Sequence, residues 1–155
     1  MLCLTTTIVL AEDKLVIYVL RHAEKTAQPS SDPVLTEQGR QRANNLTKLL
    51  CPKSIDAVFS TDYTRTRQTV EPLADCLDVE ISLYPPSKPD QLAERIIEHY
   101  PDGRVVIVGH SNTVAGIMSS LGVSNAPELA ETDYGDLFKL TLIAGSAVII
   151  KRETY

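Results

Sequence analysis

The chain has no excess of basic residues. Fifteen lysines and arginines stand against twenty aspartates and glutamates, a formal net charge of −5 over 155 residues. That balance leaves no electrostatic footprint for nucleic acid or for an anionic membrane, so neither is expected as a partner. Only three cysteines occur, none in a Cys-x-x-Cys pair, and no His-x-x-x-His spacing is present. A structural metal is therefore not expected, and no metal ligand is assigned. There is no P-loop and no Gly-x-Gly-x-x-Gly, which removes the common glycine-rich phosphate cradles. Internal repeats and low-complexity tracts are lacking too. What remains is the composition of an ordinary globule, 43% apolar and 23% charged, long enough for one domain with a real core.

The opening stretch is unusual. Leu2-Cys3-Leu4-Thr5-Thr6-Thr7-Ile8-Val9-Leu10-Ala11 is apolar and runs into Glu12-Asp13-Lys14. It reads like the hydrophobic part of an export signal, with Val9 and Ala11 placed for cleavage after Ala11, but without the basic residues that open such a signal, as in a truncated leader. Ten residues cannot span a bilayer. The expectation is removal of residues 1–11 on export, leaving residues 12–155 as a single domain in the periplasm. A short N-terminal strand or buried tail in a cytoplasmic protein is the other reading. Loss of Cys3 would leave Cys51 and Cys76, an even pair that suits an oxidising compartment. Each also reads as a small buried hydrophobe at a helix end.

Hydrophobic periodicity alternates between strand and helix. Residues 15–19 form an apolar run. Thr36 then precedes Ala43, Leu46, Leu49 and Leu50 at helical spacing, and Pro52 closes that helix. Residues 55–60 form a short strand. A second helix begins near Asp62 or Thr64 and carries Val70, Leu73, Ala74 and Leu77. Val79, Ile81 and Leu83 alternate with Glu80 and Ser82 as in a half-exposed strand, before a loop imposed by Pro85, Pro86 and Pro89. Leu92, Ile96, Ile97 and Tyr100 mark a third helix. Residues 105–108 are a buried strand, and Val114, Ile117, Met118 and Leu121 a fourth helix capped by Gly122. Residues 137–143 and 146–151 read as an antiparallel hairpin around Ala144-Gly145. The predicted fold is a three-layer α/β/α sandwich on a mostly parallel sheet with an antiparallel C-terminal edge.

Two of the buried strands end on histidine. Residues 15–19 run into Leu20-Arg21-His22-Ala23-Glu24-Lys25, and Val105-Val106-Ile107-Val108-Gly109 runs into His110. Ligands of open α/β sheets bind outside the carboxyl ends of strands, so parallel neighbouring strands would bring His22 and His110 into one pocket with Arg21 beside them. Two imidazoles and a forked guanidinium suit an anion, phosphate above all. A third segment, Ser60-Thr61-Asp62-Tyr63-Thr64-Arg65-Thr66-Arg67-Gln68-Thr69, opens a helix after another strand and places Arg65 near the same end of the sheet.

Together Leu20-Arg21-His22-Ala23, the Ser60 to Thr69 element and Val108-Gly109-His110-Ser111-Asn112 resemble the three motifs of the histidine phosphatase superfamily, also called phosphoglycerate-mutase-like. They stand in the family's order. The resemblance implies that His22 is the nucleophile that becomes a phosphohistidine, and that Arg21, Arg65 and His110 clamp the phosphoryl oxygens, with Ser111 among the substrate-binding residues. It implies no cofactor. The short stretch between Arg65 and His110 lacks the substrate-holding insertions of the family's mutases, so a phosphatase is expected. Its substrate would be a small phosphorylated molecule or a phosphohistidine protein, and the oligomeric state is left open. Ala23 departs from the glycine common after the first histidine and adds a methyl group beside the pocket.

The proton donor is unassigned. Asp90 and Glu80 are candidates by position, but Asp90 reads as a helix N-cap and Glu80 as the exposed side of a strand. Lys25 is placed either at the pocket mouth or as a solvated loop residue, Arg67 on the surface, and His99 at a helix end. Backbone amides after His110 are expected to add donors. Other readings are a non-catalytic phospho-ligand binding module, a mutase-type phosphotransferase, and a serine hydrolase using Ser111. Gly109-His110-Ser111-Asn112-Thr113 imitates a nucleophile elbow, but no histidine follows His110 and the final glycine is missing.

Overall fold

The structure is a computed structural model describing residues 14–27 and 31–155. The expected leader, residues 1–11, lies outside the described residues. Four strands come first from the two histidine motifs and their neighbours: β1 (Lys14–Arg21), β2 (Ala57–Ser60), β3 (Ile81–Leu83) and β4 (Arg104–Gly109). The hairpin strands β5 (Asp136–Ile143) and β6 (Ile149–Thr154) follow, and all six form one sheet in the order β3-β2-β4-β1-β5-β6. The first four are mutually parallel, and β5 and β6 add antiparallel pairs, as expected. β6 starts later than expected, because residues 144–148 are taken up in the turn.

Period-two alternation splits the buried strands between two cores. Leu15, Ile17 and Val19 face one side with Val105 and Ile107, covered by α3 (Pro89–His99) and α4 (Val114–Ser120) through Leu92, Ile96, Ile117 and Met118. Val16, Tyr18, Leu20, Val106 and Val108 face the other, covered by α1 (Glu37–Leu50) and α2 (Thr64–Leu77) through Leu46, Leu50, Val70 and Leu73. The central strands are thus buried on both faces, which is why they read as continuous apolar runs. No helix among the described residues is long and apolar enough to cross a membrane.

Helix ends follow local chemistry with two exceptions. Thr36 caps α1 by accepting from Gly39 N at 3.0 Å. Gly122, at φ 94°, lies just beyond α4 in the left-handed conformation that a C-terminal cap uses. The first exception is Asp90, which is not an N-cap: Lys88 takes that place, Pro89 starts the helix, and Asp90 sits in the first turn accepting a hydrogen bond from Ser120 Oγ at 2.5 Å. The second is the cysteine pair. Cys51 and Cys76 are not buried hydrophobes but a disulfide joining the end of α1 to the last turn of α2.

Candidate active site

The parallel pairing of β1 with β4 sets Arg21 opposite Gly109, so the residues that follow, His22 and His110, leave the sheet side by side. Their ring centroids are 5.5 Å apart in an edge-to-face arrangement. Gly109 is needed at that exit. A β-carbon there would come within 2.8 to 3.2 Å of Thr113 Oγ1, Ile117 and the Tyr84 hydroxyl.

Each imidazole has its tautomer set by its neighbours. His22 Nδ1 is 2.8 Å from the Ala23 carbonyl, which can only accept, so Nδ1 carries the proton and Nε2 keeps its lone pair. His110 Nδ1 lies 3.4 Å from Arg65 Nη2, which can only donate, so the proton of His110 is on Nε2 and goes to Thr61 Oγ1 at 3.0 Å. Thr61 passes the chain to Thr66 Oγ1, and Thr66 ends it on the Tyr63 carbonyl. Both rings are buried, and burial is the main reason their pKa values fall from 6.5 to about 4. Nearby arginines push in the same direction. Both imidazoles are therefore neutral at physiological pH.

The guanidinium groups differ in role. Arg65 lines the pocket, its plane 4.5 Å from the Tyr63 ring and its Nη1 3.8 Å from Asp32. Asp32 also accepts from the Thr64 N–H and hydroxyl, so it caps α2 where Tyr63 makes no cap bond of its own. Arg21 does not line the pocket as expected. Its Nη1 donates to the carbonyls of Ala130, Glu131 and Asp133 at 2.9 to 3.1 Å, Nη2 reaches Glu131 Oε2 at 3.3 Å, and the guanidinium covers the Tyr134 ring at 4.1 Å. A buried arginine satisfies its donors wherever carbonyls are offered, and the segment between α4 and β5 offers three. Among the described residues, Arg21 Nε and Arg65 Nε remain buried N–H groups with no acceptor.

The pocket between these groups has a volume of about 290 Å³. His22, Lys25, Arg65 and His110 supply its cationic or donor side, with Tyr63 and Pro86 as walls. Ser111, Asn112 and Thr113 close one end beside Glu131. Lys25 is thus at the pocket and half-buried, whereas Arg67 pairs with Asp62 on the surface and His99 bonds the Arg95 carbonyl at the end of α3. The methyl group of Ala23 points away from the pocket, into a small cluster with Leu35 and Ala43, while its N–H donates to Thr69 Oγ1. Behind His22, Glu24 forms a two-toothed ion pair with Arg42 at 2.6 to 3.0 Å. Burial pushes the Glu24 carboxyl up, but the Arg42 fork outweighs it and holds the group below its usual range.

Neither sequence candidate for the proton donor is present. Asp90 is engaged with Ser120, Glu80 is exposed ahead of β3, and neither lines the pocket. The amides after His110 are partly spent as well, since those of Thr113 and Val114 both donate to the His110 carbonyl. Tyr63, Pro86, Asn112, Thr113 and Glu131 line the pocket without being among the site residues the sequence assigns. Tyr63 was visible only as part of the second motif, and Glu131 lies in an aperiodic segment with nothing local to flag it. Ser111 donates its hydroxyl to Glu131 Oε1.

Comparison with known proteins agrees with this geometry. Residues 17–85 match the histidine phosphatase superfamily (branch 1), so the resemblance read from the motifs holds, with the third motif placed beside the first two by the fold. A protein of Erwinia tasmaniensis named "Probable phosphoglycerate mutase GpmB" is 34% identical over 75 residues, 44% of this chain and 35% of that one. The alignment thus spans about a third of that relative's length. A structure of the protein histidine phosphatase SixA with tungstate superimposes with a TM-score of 0.71 at 16% identity, covering 90% of this chain and 96% of that one. A mycobacterial glucosyl-3-phosphoglycerate phosphatase gives 0.72 at 15% identity, covering 92% and 98%. These likenesses establish the histidine phosphatase fold.

Proposed function

We propose that the protein is a phosphatase that hydrolyses a phosphomonoester or phosphoramidate through a phosphohistidine on His22. The observation that carries this reading is one pocket lined by two neutral imidazoles and by Arg65, whose buried Nε–H has no acceptor. A buried donor without a partner is costly, and an anion in the pocket satisfies it. His22 Nε2 attacks phosphorus as the bond to the leaving group breaks; water then displaces the imidazole, releasing inorganic phosphate. Arg65 and Lys25 neutralise the oxygens in the transition state, and Arg21 holds the α4–β5 segment beside them. A bound dianion would raise the pKa of His110, allowing its Nδ1 to take a proton and donate to a phosphoryl oxygen.

Ser111 supports this reading over a serine hydrolase, because its hydroxyl is bonded to Glu131 instead of to an imidazole. The test is rapid quenching with radiolabelled aryl phosphate. Acid-labile, alkali-stable label is expected on His22, with activity abolished in His22→Ala; label on Ser111 would overturn the assignment. We also propose that the protein works in an oxidising compartment after loss of residues 1–11, a reading the Cys51–Cys76 disulfide supports. N-terminal sequencing of protein from its native cell should find Glu12 first, and an intact Met1 would refute it.

A further inference from the structure

Among the described residues that line the pocket, Glu131 is the only acidic side chain, and every other one that bears charge is cationic or can become so. A carboxylate does nothing for a phosphoryl dianion except repel it, so its presence requires another explanation. It is not free to swing away. One oxygen accepts from Ser111, the other from Arg21, and the backbone on both sides is held by Arg21 Nη1 through the carbonyls of Ala130, Glu131 and Asp133. Even so, the side chain is 77% exposed, leaving acceptor positions turned to solvent.

The Ser111 hydroxyl first, and Arg21, Lys25 and His22 after it, keep this carboxyl below its usual range. It is therefore ionised at neutral pH and poorly suited to protonating a leaving group. A held, ionised acceptor in the same pocket as the nucleophile is suited to recognition. With His22, Arg65 and Lys25 committed to the phosphoryl group and Arg21 buried behind Glu131, what the pocket still turns to the rest of the substrate is the exposed side of this carboxylate.

Resting on the phosphatase reading above, we propose that Glu131 sets substrate choice, favouring leaving groups that carry a positive charge or N–H donors next to the phosphoryl group and disfavouring those that carry a second anion. The substrate class is thus a phosphorylated amine-bearing or protonated nitrogen compound, and sugar-acid phosphates are discriminated against. Specificity of this kind needs the repulsive arm as well as the attractive one.

The experiment compares 4-(aminomethyl)phenyl phosphate with 4-(carboxymethyl)phenyl phosphate, two aryl esters with para substituents of opposite charge, on wild type, Glu131→Gln and Glu131→Asp. An exposed charge contact is worth up to about fivefold, and the ratio of kcat/KM for the two esters registers it twice with opposite signs, so Glu131→Gln should shrink that ratio by roughly tenfold. The change is expected mainly in KM, and Glu131→Asp should restore part of it. Disturbing Arg21 or the fold would lower both rates alike; an unchanged ratio overturns the proposal. The same esters are titrated into the His22→Ala protein by calorimetry. If wild type hydrolyses neither ester, the phosphatase reading fails, while the ratio of dissociation constants still decides the role of Glu131. Equal binding of the two esters, or none, overturns it.

Discussion

Two connections reach over the carboxyl end of the sheet, and they meet the pocket in opposite ways. The short one, from β3 to α3, presents Pro86. It is anchored from beneath, where the buried Tyr84 hydroxyl donates to the Val108 carbonyl at 2.9 Å, and burial pushes that phenol's pKa up. The longer one, from α4 to β5, presents a carboxylate and is anchored by a charged fork, Arg21, through three carbonyls. Both are pinned to the strands that carry the histidines, one beside His110 and the other beside His22. A connection with few residues can do little more than wall the site. One with more can loop back and place a charged group in it.

The largest effect should come from breaking the charged anchor. Arg21→Met removes a buried donor set and leaves carbonyls unpaired, a loss of about 2–3 kcal/mol, and frees the segment that closes one end of the pocket, a misplacement worth up to about 10²-fold in rate. Urea unfolding and steady-state kinetics on an aryl phosphate check both. A loss of activity without a loss of stability would mean that the α4–β5 connection stands without Arg21.

A second, intermediate effect is in the pH dependence of stability, set by the imidazoles between the two connections. Both have native pKa values lowered to about 4 from 6.5. Between those values the unfolded chain binds protons that the native state refuses. Stability is therefore complete above about pH 6.5 and falls as the pH drops towards about 4. Urea midpoints at a series of pH values test this, and His22→Gln should flatten the slope. A flat profile in wild type would contradict the burial of the rings.

The smallest effect belongs to Asp90→Asn. Its carboxylate serves Ser120 and not the pocket, so rates on aryl and alkyl phosphates should stay within about twofold. A loss of about 10²-fold on alkyl phosphates alone would make Asp90 the proton donor and reverse the contrast between the connections. With no acid delivered by the β3–α3 connection, rates should also fall steeply as leaving-group pKa rises.

Much of the architecture was legible because it is periodic. The runs before His22 and His110 are buried on both faces and therefore uninterrupted, the helix stripes follow their spacing, and the hairpin is bounded by Ala144-Gly145. Once those strands lie parallel and adjacent, as they do, the meeting of His22 and His110 follows. What was hidden depends on contacts with no local signature. Arg21 meets its carbonyls some 110 positions along the chain, and Glu131 sits in a segment without period. The disulfide links cysteines 25 apart on two helix ends whose approach only the packing of α1 on α2 decides. Asp90 is not the cap its type suggests because Pro89 starts α3 two positions earlier than an aspartate cap there requires.

The bridge between Cys51 and Cys76 has a topological consequence. It closes a covalent ring around β2 and nearly all of α2, so the arm bearing Arg65 hangs inside a loop of chain sealed at both ends. A protease that nicks the exposed turn after α1 would cut the backbone once and release nothing. The two pieces stay joined through Cys51 and Cys76, and the anion-facing arginine stays covalently tied to the rest of the chain until a reductant opens the bridge.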